Sequence, residues 1–338
     1  MSVNNPWSIE ESDFSVAEDL RSKIKFWLKY AVLAASAHNT QPWKCILKDD
    51  TLFVFRDEER TLGSDQTTRL AHIGIGAFIE NLSIASQNWG YTSEVHITAF
   101  SPNELEIARI SFDKATEDEG RSGLELFKAI TTRHTNRGFY MSEAPDEILL
   151  KKIASDKECT AQPFVIVDEN GKKRIGELVA KGTDIALSLP FMKRELASFI
   201  YSSRKPKEIG MPIESMIPGY LKNLIRPETA IKLINPKLLA EENMKKYSQA
   251  PALVLIGTHE DGPIAWIDAG RLMQRTLLRA ASRGYSHDIA AGPIEIPTLL
   301  PNLRKEIPHD LRPQLLLRVG RAVNPSLSVS SGRKAVEV

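Results

Sequence analysis

The stretch Ala31-Val-Leu-Ala-Ala-Ser-Ala-His-Asn-Thr-Gln-Pro-Trp43 joins a predicted helix to a predicted strand. Its first residues are apolar and continue a helix that we expect from Arg21 to about His38. The residue before a proline is driven out of the α region, so this helix should end at or before Gln41. Two short strands, 43–47 and 52–55, are predicted next, around a polar turn.

Four polar side chains, those of Ser36, His38, Asn39 and Gln41, are gathered at this junction. Several hydrogen-bonding groups in one place suit a planar ligand that is rich in heteroatoms. The alternative interpretation is the ordinary polar end of a helix, and the stretch by itself leaves both open.

The composition describes an ordinary globular chain of 338 residues, long enough for about two domain-sized units. It has 44 Lys plus Arg and 43 Asp plus Glu, a formal charge of +1. A general nucleic-acid binder would have a clear cationic excess, so we expect no nucleic-acid partner. A local group of arginines remains compatible with one bound phosphate.

The N-terminus is acidic and has no apolar core, unlike a signal peptide. No stretch approaches the roughly 20 apolar residues of a membrane span. The two cysteines, Cys45 and Cys159, are far apart and suit a reducing compartment. We therefore expect a cytoplasmic protein that does not enter a membrane. Residues 1–20 are expected to be a loose lead-in.

Two segments resemble each other within the chain, 72–91 and 266–285. At one constant offset, Gly76 matches Gly270, and most of the apolar stripe of the first segment is repeated in the second. The first segment reads as a long helix (70–90) with a glycine cap, followed by strands at 91–100 and 104–112.

A second internal match follows at another offset. Gln41-Pro-Trp-Lys-Cys-Ile-Leu47 is answered by Gln162-Pro-Phe-Val-Ile-Val167, again after a helix-like segment, 146–153. The order is the same both times: helix, Gln-Pro-aromatic strand, long amphipathic helix, Gly-Tyr, strand. The unequal offsets place an insertion in the second half, at about 198–244.

The insertion is rich in Pro and Met, so it is either disordered or a lid. A disordered linker would lack its apolar face, which favours a lid. The residues predicted to face the substrate are Met211, Met216 and Tyr220.

The strongest cationic motif is Thr131-Thr-Arg-His-Thr-Asn-Arg137. On a helical turn, Arg133 and Arg137 would share a face and grip one phosphate, since planar guanidinium groups bind phosphate oxygens two at a time. The alternative is a solvated basic turn. A second cationic group contains Arg318, Arg321 and the tail Ser331-Gly-Arg-Lys334.

The small-residue loop Asp288-Ile-Ala-Ala-Gly-Pro-Ile-Glu295 would bring backbone N–H groups close to a flat ring, or be a plain helix-to-strand turn. Gly74-x-Gly76 is not a dinucleotide fingerprint, because it lies inside a helical pattern and lacks the third glycine. No metal-binding spacing is present, so no metal is expected.

With these motifs together, the chain resembles the nitroreductase family of FMN proteins, in its tandem, single-chain, Acg-like branch. The family's helix-to-strand signature is similar to Ala31–Trp43, and its phosphate motif is similar to Arg133-His-Thr-Asn-Arg137. Its ring loop is similar to Ala291-Gly-Pro-Ile-Glu295, and its basic tail to Gly332-Arg-Lys334.

The resemblance implies an α+β fold with mainly antiparallel sheets, made of two fused halves, 1–120 and 121–338. The halves would form an intramolecular pseudo-dimer that keeps one FMN per chain, and further oligomerisation stays open. The cofactor-binding residues it implies are Arg133, His134, Thr135, Arg137, Ser36, His38, Asn39, Gln41, Ala291, Gly292, Pro293, Arg321, Arg333 and Lys334.

The resemblance also implies a reaction, in which NAD(P)H gives a hydride to FMN and electrons pass to a nitroaromatic, a quinone or a similar small acceptor. No catalytic side chain is expected, because the flavin does the chemistry. Two alternatives stay open: a protein that holds flavin under a closed lid with little or no reductase activity, and a relic that has lost flavin.

Overall fold

The computed structural model describes residues 5–15, 17–116, 124–216, 227–336 and 338. Its α-helices are α1 Ser12–Ser15, α2 Leu20–Ala31, α3 Arg69–Asn88, α4 Leu124–Ile130, α5 Glu147–Ala154, α6 Glu169–Ser188, α7 Pro190–Ser198, α8 Pro227–Leu233, α9 Pro236–Ser248, α10 Pro263–Ser282, α11 Gly292–Glu295 and α12 Leu300–Leu303. Its strands are β1 Trp43–Lys48, β2 Thr51–Arg56, β3 Tyr91–Ile97, β4 Glu106–Lys114, β5 Gln162–Ile166, β6 Ile200–Tyr201, β7 Met211–Pro212, β8 Ala252–Thr258, β9 Ser286–Ala290 and β10 Arg312–Gly320. Short 3-10 turns lie at Ala37–Asn39, Glu58–Arg60, Ile213–Ser215, Arg304–Glu306 and Pro325–Leu327.

The chain divides into two compact units, and each is discontinuous in sequence. Unit 1 contains Met1–Arg133, Gly262–Ser282 and Gly332–Val338. Unit 2 contains His134–Asp261 and Arg283–Ser331. These units differ from the sequential halves 1–120 and 121–338, because α10 and the C-terminal tail belong to unit 1. That residues 1–120 and 121–338 are two copies of one repeated unit stays a prediction.

Unit 1 is built on an antiparallel sheet with the strand order β1-β2-β4-β3. Side chains alternate along β1, so that Trp43, Cys45 and Leu47 are buried while the residues between them are exposed. Burial raises the pKa of the Cys45 thiol, which agrees with the packing role of an apolar strand residue.

Two 20-residue helices, α3 and α10, pack against each other in unit 1. Buried Glu80 on α3 accepts hydrogen bonds from Arg271 Nε at 3.0 Å and from Arg275 Nη1 at 2.7 Å. Both arginines are on α10, so its two ion pairs fix the rotation of one helix against the other.

Unit 2 has an antiparallel sheet of its own with the strand order β5-β8-β10-β9. Every residue of its second strand, β8, is buried, as expected for an inner strand that is covered on both faces. Helix α6 packs against α9, and Tyr247 of α9 lies in the same apolar cluster as Ile175 and Leu178 of α6.

The two sheets share one topology. In each, the first strand pairs with the second, the second with the fourth, and the fourth with the third. In each, a 20-residue helix connects the second strand to the third in sequence. The predicted α+β class with mainly antiparallel sheets is confirmed, and the parallel pair β6–β7 is a two-residue exception.

Several expectations need correction. Helix α2 ends at Ala31 rather than near His38, and the chain then passes through Ser36, whose extended backbone (φ −146°, ψ 156°) cannot continue a helix. The lead-in is fastened to unit 1: the Phe14 ring lies 5.0 Å from Trp89, and Asp13 pairs with Lys29 at 2.7 Å. Among the described residues, no helix is long and apolar enough to cross a membrane.

The predicted insertion, 198–244, is not a uniform lid. Met211 and Ile213 lie in a small apolar cluster with Ile200 and Ile231, so the predicted apolar face is confirmed for these residues. Its last part belongs to α9, and α9 is part of the unit 2 core. Tyr220 lies outside the described residues, and the role of the segment as a lid stays a prediction.

Candidate functional site

The helix-to-strand junction of unit 1 has an unusual backbone. His38, Asn39 and Gln41 adopt φ values of 49°, 56° and 54°. Non-glycine residues rarely occupy this left-handed region, and each costs on the order of 1 kcal/mol or more. Three of them lie within four residues, so the surrounding contacts must hold the junction in this shape.

Local hydrogen bonds hold this strained backbone. The Ser36 hydroxyl accepts from the Gln41 N–H at 3.0 Å, and the Ser36 carbonyl accepts from the Asn39 N–H at 3.0 Å. The Gln41 amide Nε2 donates to the Asn39 carbonyl at 3.3 Å. Three of the four polar residues predicted to bind a ligand here, Ser36, Asn39 and Gln41, therefore form one connected group.

The C-terminal tail docks on the same junction. Asn39 Nδ2 donates to the Gly332 carbonyl at 3.0 Å, and the Lys334 N–H donates to Gln41 Oε1 at 2.9 Å. Lys334 thus contributes its backbone amide, while its side chain is exposed. These two bonds flank Arg333 and place its side chain.

Arg133 and Arg333 meet at one oxygen atom. Arg133 Nη2 donates to the Leu33 carbonyl at 3.1 Å, and Arg333 Nη2 donates to the same carbonyl at 3.3 Å and to that of Ala34 at 3.4 Å. These carbonyls follow the C-terminal end of α2, where the helix dipole favours cations. The sequence places the two arginines 200 positions apart, yet the fold brings them together.

The electrostatics of Arg133, the more deeply buried of the two arginines, favour an anion. Arg133 is 3% exposed and Arg333 is 8% exposed. Burial lowers the pKa of the Arg133 guanidinium to about 10, because the charge is removed from water without a compensating carboxylate. Among the described residues, Arg133 Nε has no hydrogen-bond partner. A phosphate would supply negative charge and acceptors for buried N–H groups.

Sequence reasoning missed three residues that support this site. The Trp7 ring lies over both guanidinium groups, with its centroid 5.9 Å from Arg133 Cζ and 4.7 Å from Arg333 Cζ. Gln274 of α10 accepts from the Ala35 N–H at 3.3 Å and donates to Asn81 Oδ1 at 2.8 Å. No local motif marks these residues, because their partners are distant in sequence.

Residues 134–137 of the arginine motif belong to unit 2. Helix α4 ends at Ile130, so Arg133 and Arg137 do not lie on a helical turn, and the proposed shared helix face is wrong. Thr135 forms an isolated β-bridge with His287, and His134 Nε2 lies 3.4 Å from the Ser330 hydroxyl. The backbone is extended here because it adds to the edge of β9.

Arg137 binds the insertion within unit 2. Its Nη1 donates to the Ser215 hydroxyl at 3.2 Å, and its Nη2 contacts Met211 Sδ at 3.1 Å. Met211 is buried and Met216 is half-buried. A phosphate contact by Arg137 stays a prediction, whereas its contact with the insertion is part of the unit 2 structure.

The second cationic group is also divided between the units: Arg318 and Arg321 belong to unit 2, whereas Arg333 and Lys334 belong to unit 1. Arg318 is fully buried in β10 and donates to Asp288 Oδ2 from Nε at 3.2 Å and from Nη2 at 3.0 Å. Burial alone would lower its pKa, but Tyr140, Asp288 and Tyr247 raise it above the ordinary value. Arg321 stacks on Tyr285, with 4.5 Å between Cζ and the ring centroid. Arg318 is therefore neutralised inside the sheet, unlike Arg133 of unit 1, whose pKa is lowered by burial alone.

The small-residue loop of unit 2 is partly helical. Ala291 caps the single turn α11, which contains Gly292 and Pro293. Gly292 packs against the backbone of Gly182 on α6, where a methyl group at either glycine would lie about 3.2 Å from the facing Cα. This contact explains the small residues by packing, and their contact with a flavin ring stays a prediction. The described residues contain no group of three or more His, Cys, Asp or Glu side chains able to hold a metal ion.

No family model matches the chain. Its curated relatives are proteins of Mycobacterium tuberculosis that are named as NAD(P)H nitroreductases. This relationship confirms the resemblance that the sequence motifs predict.

Two relatives define the relationship. "Putative NAD(P)H nitroreductase acg" is 34% identical over 125 residues, which is 36% of this chain and only 37% of that relative. "Putative NAD(P)H nitroreductase Rv3131" is 24% identical over 304 residues, which is 88% of this chain and 85% of that protein. An alignment of this length includes residues of both units.

Solved structures are similar at a lower level. Oxidised iodotyrosine deiodinase bound to FMN and 3-iodo-L-tyrosine has a TM-score of 0.40 and 16% identity, over 63% of this chain and 97% of that one. A nitroreductase from Anabaena variabilis has a TM-score of 0.46 and 11% identity, over 80% of this chain and 69% of that one.

Proposed function

We propose that this protein binds FMN and is an NAD(P)H-dependent oxidoreductase of the nitroreductase type. The observation that supports the proposal is the pair of buried arginines, Arg133 and Arg333, at the carbonyl of Leu33. Burying the Arg133 cation is costly unless an anion offsets its charge. The names of the relatives supply the reaction class.

The residues present fit the phosphate of FMN. Arg133 and Arg333 would hold the phosphate, and the unpartnered Nε of Arg133 is a donor for it. Asn39 and Gln41 hold the tail that places Arg333, and Ser36 holds Gln41. When bound, FMN supplies the two-electron chemistry that no side chain provides. The acceptor class, a nitroaromatic or a quinone, follows from the family resemblance.

The internal duplication is part of the proposal. The shared strand order of the two sheets and the matching 20-residue helices support descent from one repeated unit. We infer that one FMN binds per chain, because Arg318, which lies in unit 2, is neutralised by Asp288. The cytoplasmic location and the pseudo-dimeric arrangement stay predictions.

The first test is the absorbance spectrum of the purified full chain, with FMN added where the protein is colourless. We expect a bound flavin spectrum that is bleached by NADPH or NADH under anaerobic conditions. Bound flavin that neither nucleotide bleaches would favour the flavin-holding alternative over the reductase. A colourless protein that does not bind added FMN would overturn the flavin proposal.

The second test locates the phosphate. Arg133→Ala removes a charge-assisted contact worth about 1.5–3 kcal/mol, so the dissociation constant of FMN should rise on the order of tenfold to a hundredfold. Riboflavin, which lacks the phosphate, is the matched ligand and should bind both proteins alike. An unchanged FMN constant would refute the assignment of Arg133.

A further inference from the structure

The N-terminal segment covers the arginine pair. Trp7 is 7% exposed, and its ring lies 4.7 Å from Arg333 Cζ and 5.9 Å from Arg133 Cζ. Asn5 Oδ1 accepts from the Trp7 N–H at 3.2 Å, and the Asn5 carbonyl accepts from the Ser8 N–H at 3.0 Å. The tryptophan is therefore held in a defined turn.

A second anchor fixes the segment farther along. The Phe14 ring lies 5.5 Å from Phe26 and 5.0 Å from Trp89, and Asp13 pairs with Lys29. The segment is therefore held at both ends, with Trp7 buried and Phe14 half-buried, while most residues between them are exposed. The position of the Trp7 ring over two charged side chains calls for an explanation, because the same unit offers many apolar side chains against which a tryptophan could pack.

An aromatic ring and a phosphate bind different parts of a guanidinium group. A ring binds its flat face by a cation–π contact, whereas phosphate oxygens bind its N–H edges in the plane. Trp7 leaves Arg133 Nε without a hydrogen-bond partner among the described residues. Ring and phosphate are therefore compatible on the same arginine. The ring also excludes water, and charge interactions strengthen in a medium of lower polarity.

We propose that Trp7 is a positioning residue of a phosphomonoester site, which acts by holding the planes of Arg133 and Arg333 and by keeping water from them. This inference rests on the proposed function, because FMN is the phosphomonoester in question. Simple aromatic packing would also explain a buried tryptophan. The two explanations differ in one respect: packing does not distinguish ligands that differ only by a phosphate.

The test compares Trp7→Phe with Trp7→Leu in the full chain. Leucine fills part of the space without an aromatic face, whereas phenylalanine keeps that face. We expect Trp7→Leu to weaken FMN binding about threefold to thirtyfold and to leave riboflavin binding unchanged. Trp7→Phe should restore most of the affinity for FMN. Binding of inorganic phosphate is measured by the thermal stabilisation that it gives each protein. The three proteins should rank in the same order for phosphate as for FMN.

Each other outcome has a defined meaning. Equal losses for FMN and riboflavin, or equal affinities of Trp7→Leu and wild type for FMN, would overturn the role of Trp7 while the FMN proposal stands. Wild-type protein that binds inorganic phosphate but not FMN would refute the proposed function. The relative phosphate affinities of wild type, Trp7→Phe and Trp7→Leu would then decide the role of Trp7: the same order as expected for FMN supports it, and equal affinities overturn it. Wild-type protein that binds neither would overturn both.

Discussion

Gly76 of α3 packs directly against the carbonyl group of Ile267 on α10. A methyl group at Gly76 would lie 2.9 Å from the Ile267 carbonyl carbon and closer still to its oxygen. The relation is reciprocal, since a methyl group at Gly270 would lie 2.8 Å from the carbonyl carbon of Ile73. Both pairs are matched in the internal repeat, so the same contact occurs twice at one helix crossing.

Gly76→Ala should therefore destabilise the protein by about 1–3 kcal/mol, because a backbone carbonyl in a packed helix has no room to move. The measurement is urea unfolding, followed by circular dichroism. Gly262→Ala is the matched control, since a Cβ at Gly262 meets nothing within 4 Å, and it should change stability by less than about 0.5 kcal/mol. Equal stability of the two variants would contradict the close crossing.

Arg333→Ala should weaken FMN binding on the order of tenfold to a hundredfold, through the loss of one charge-assisted contact. Titration of the apoprotein with FMN, followed by flavin fluorescence, measures the change. Arg304→Ala removes the same charge from an exposed position in unit 2 and should leave the affinity unchanged. If the two variants lose affinity equally, the effect is one of net charge, and the tail does not bind phosphate.

The elements with strong local signals follow the sequence closely. The predicted strands 43–47 and 52–55 lie within β1 and β2, and the predicted helix 70–90 corresponds to α3 with Gly90 at a φ of 75°. Alternation and helical spacing are set by neighbouring residues, so one stretch of sequence is enough to predict them.

The site itself depends on contacts that no local pattern records. The tail reaches Asn39 and Gln41 from the far end of the chain, and Trp7 reaches the arginines from the other end. Resemblance to a known motif identified Arg133 and Arg333 as candidates. It did not predict that both would share the Leu33 carbonyl, because the two arginines and Leu33 are far apart in sequence.

His72 should make the protein less stable at mildly acidic pH. Its side chain is fully buried on α3, and Nδ1 lies 2.7 Å from the Thr68 carbonyl. Burial, with a smaller effect of Arg56, lowers its pKa below the ordinary 6.5. The unfolded chain therefore binds the proton more readily, so stability is fully present above pH 6.5 and falls as the pH drops below it.

The measurement is the free energy of unfolding of wild type and His72→Gln at several pH values from 7.5 downward. Glutamine has no proton to gain in this range, so the variant should show a flatter pH dependence below about 6.5. His309→Gln is the control, because His309 is exposed. Its free energy of unfolding should depend on pH as that of the wild type does. Parallel curves for wild type and His72→Gln would exclude His72 as the source.

Arg137→Ala should loosen the insertion of unit 2. The variant loses the contacts of Arg137 with the Ser215 hydroxyl and Met211 sulfur, which hold the chain on either side of Glu214. Glu214 in turn accepts hydrogen bonds from the backbone and hydroxyl of Ser203, next to the exposed residues Arg204 and Lys205.

Opening of this region exposes the bond after Arg204 to trypsin, and cleavage follows the population of the open form. Two lost hydrogen bonds should speed cleavage there about fivefold to tenfold, as measured by mass spectrometry of the fragments. Arg194→Ala changes an exposed arginine on α7 and should cleave at the wild-type rate. If Arg137→Ala also cleaves at that rate, Arg137 does not hold the insertion, and its guanidinium group is available for the phosphate contact that the sequence motif predicts.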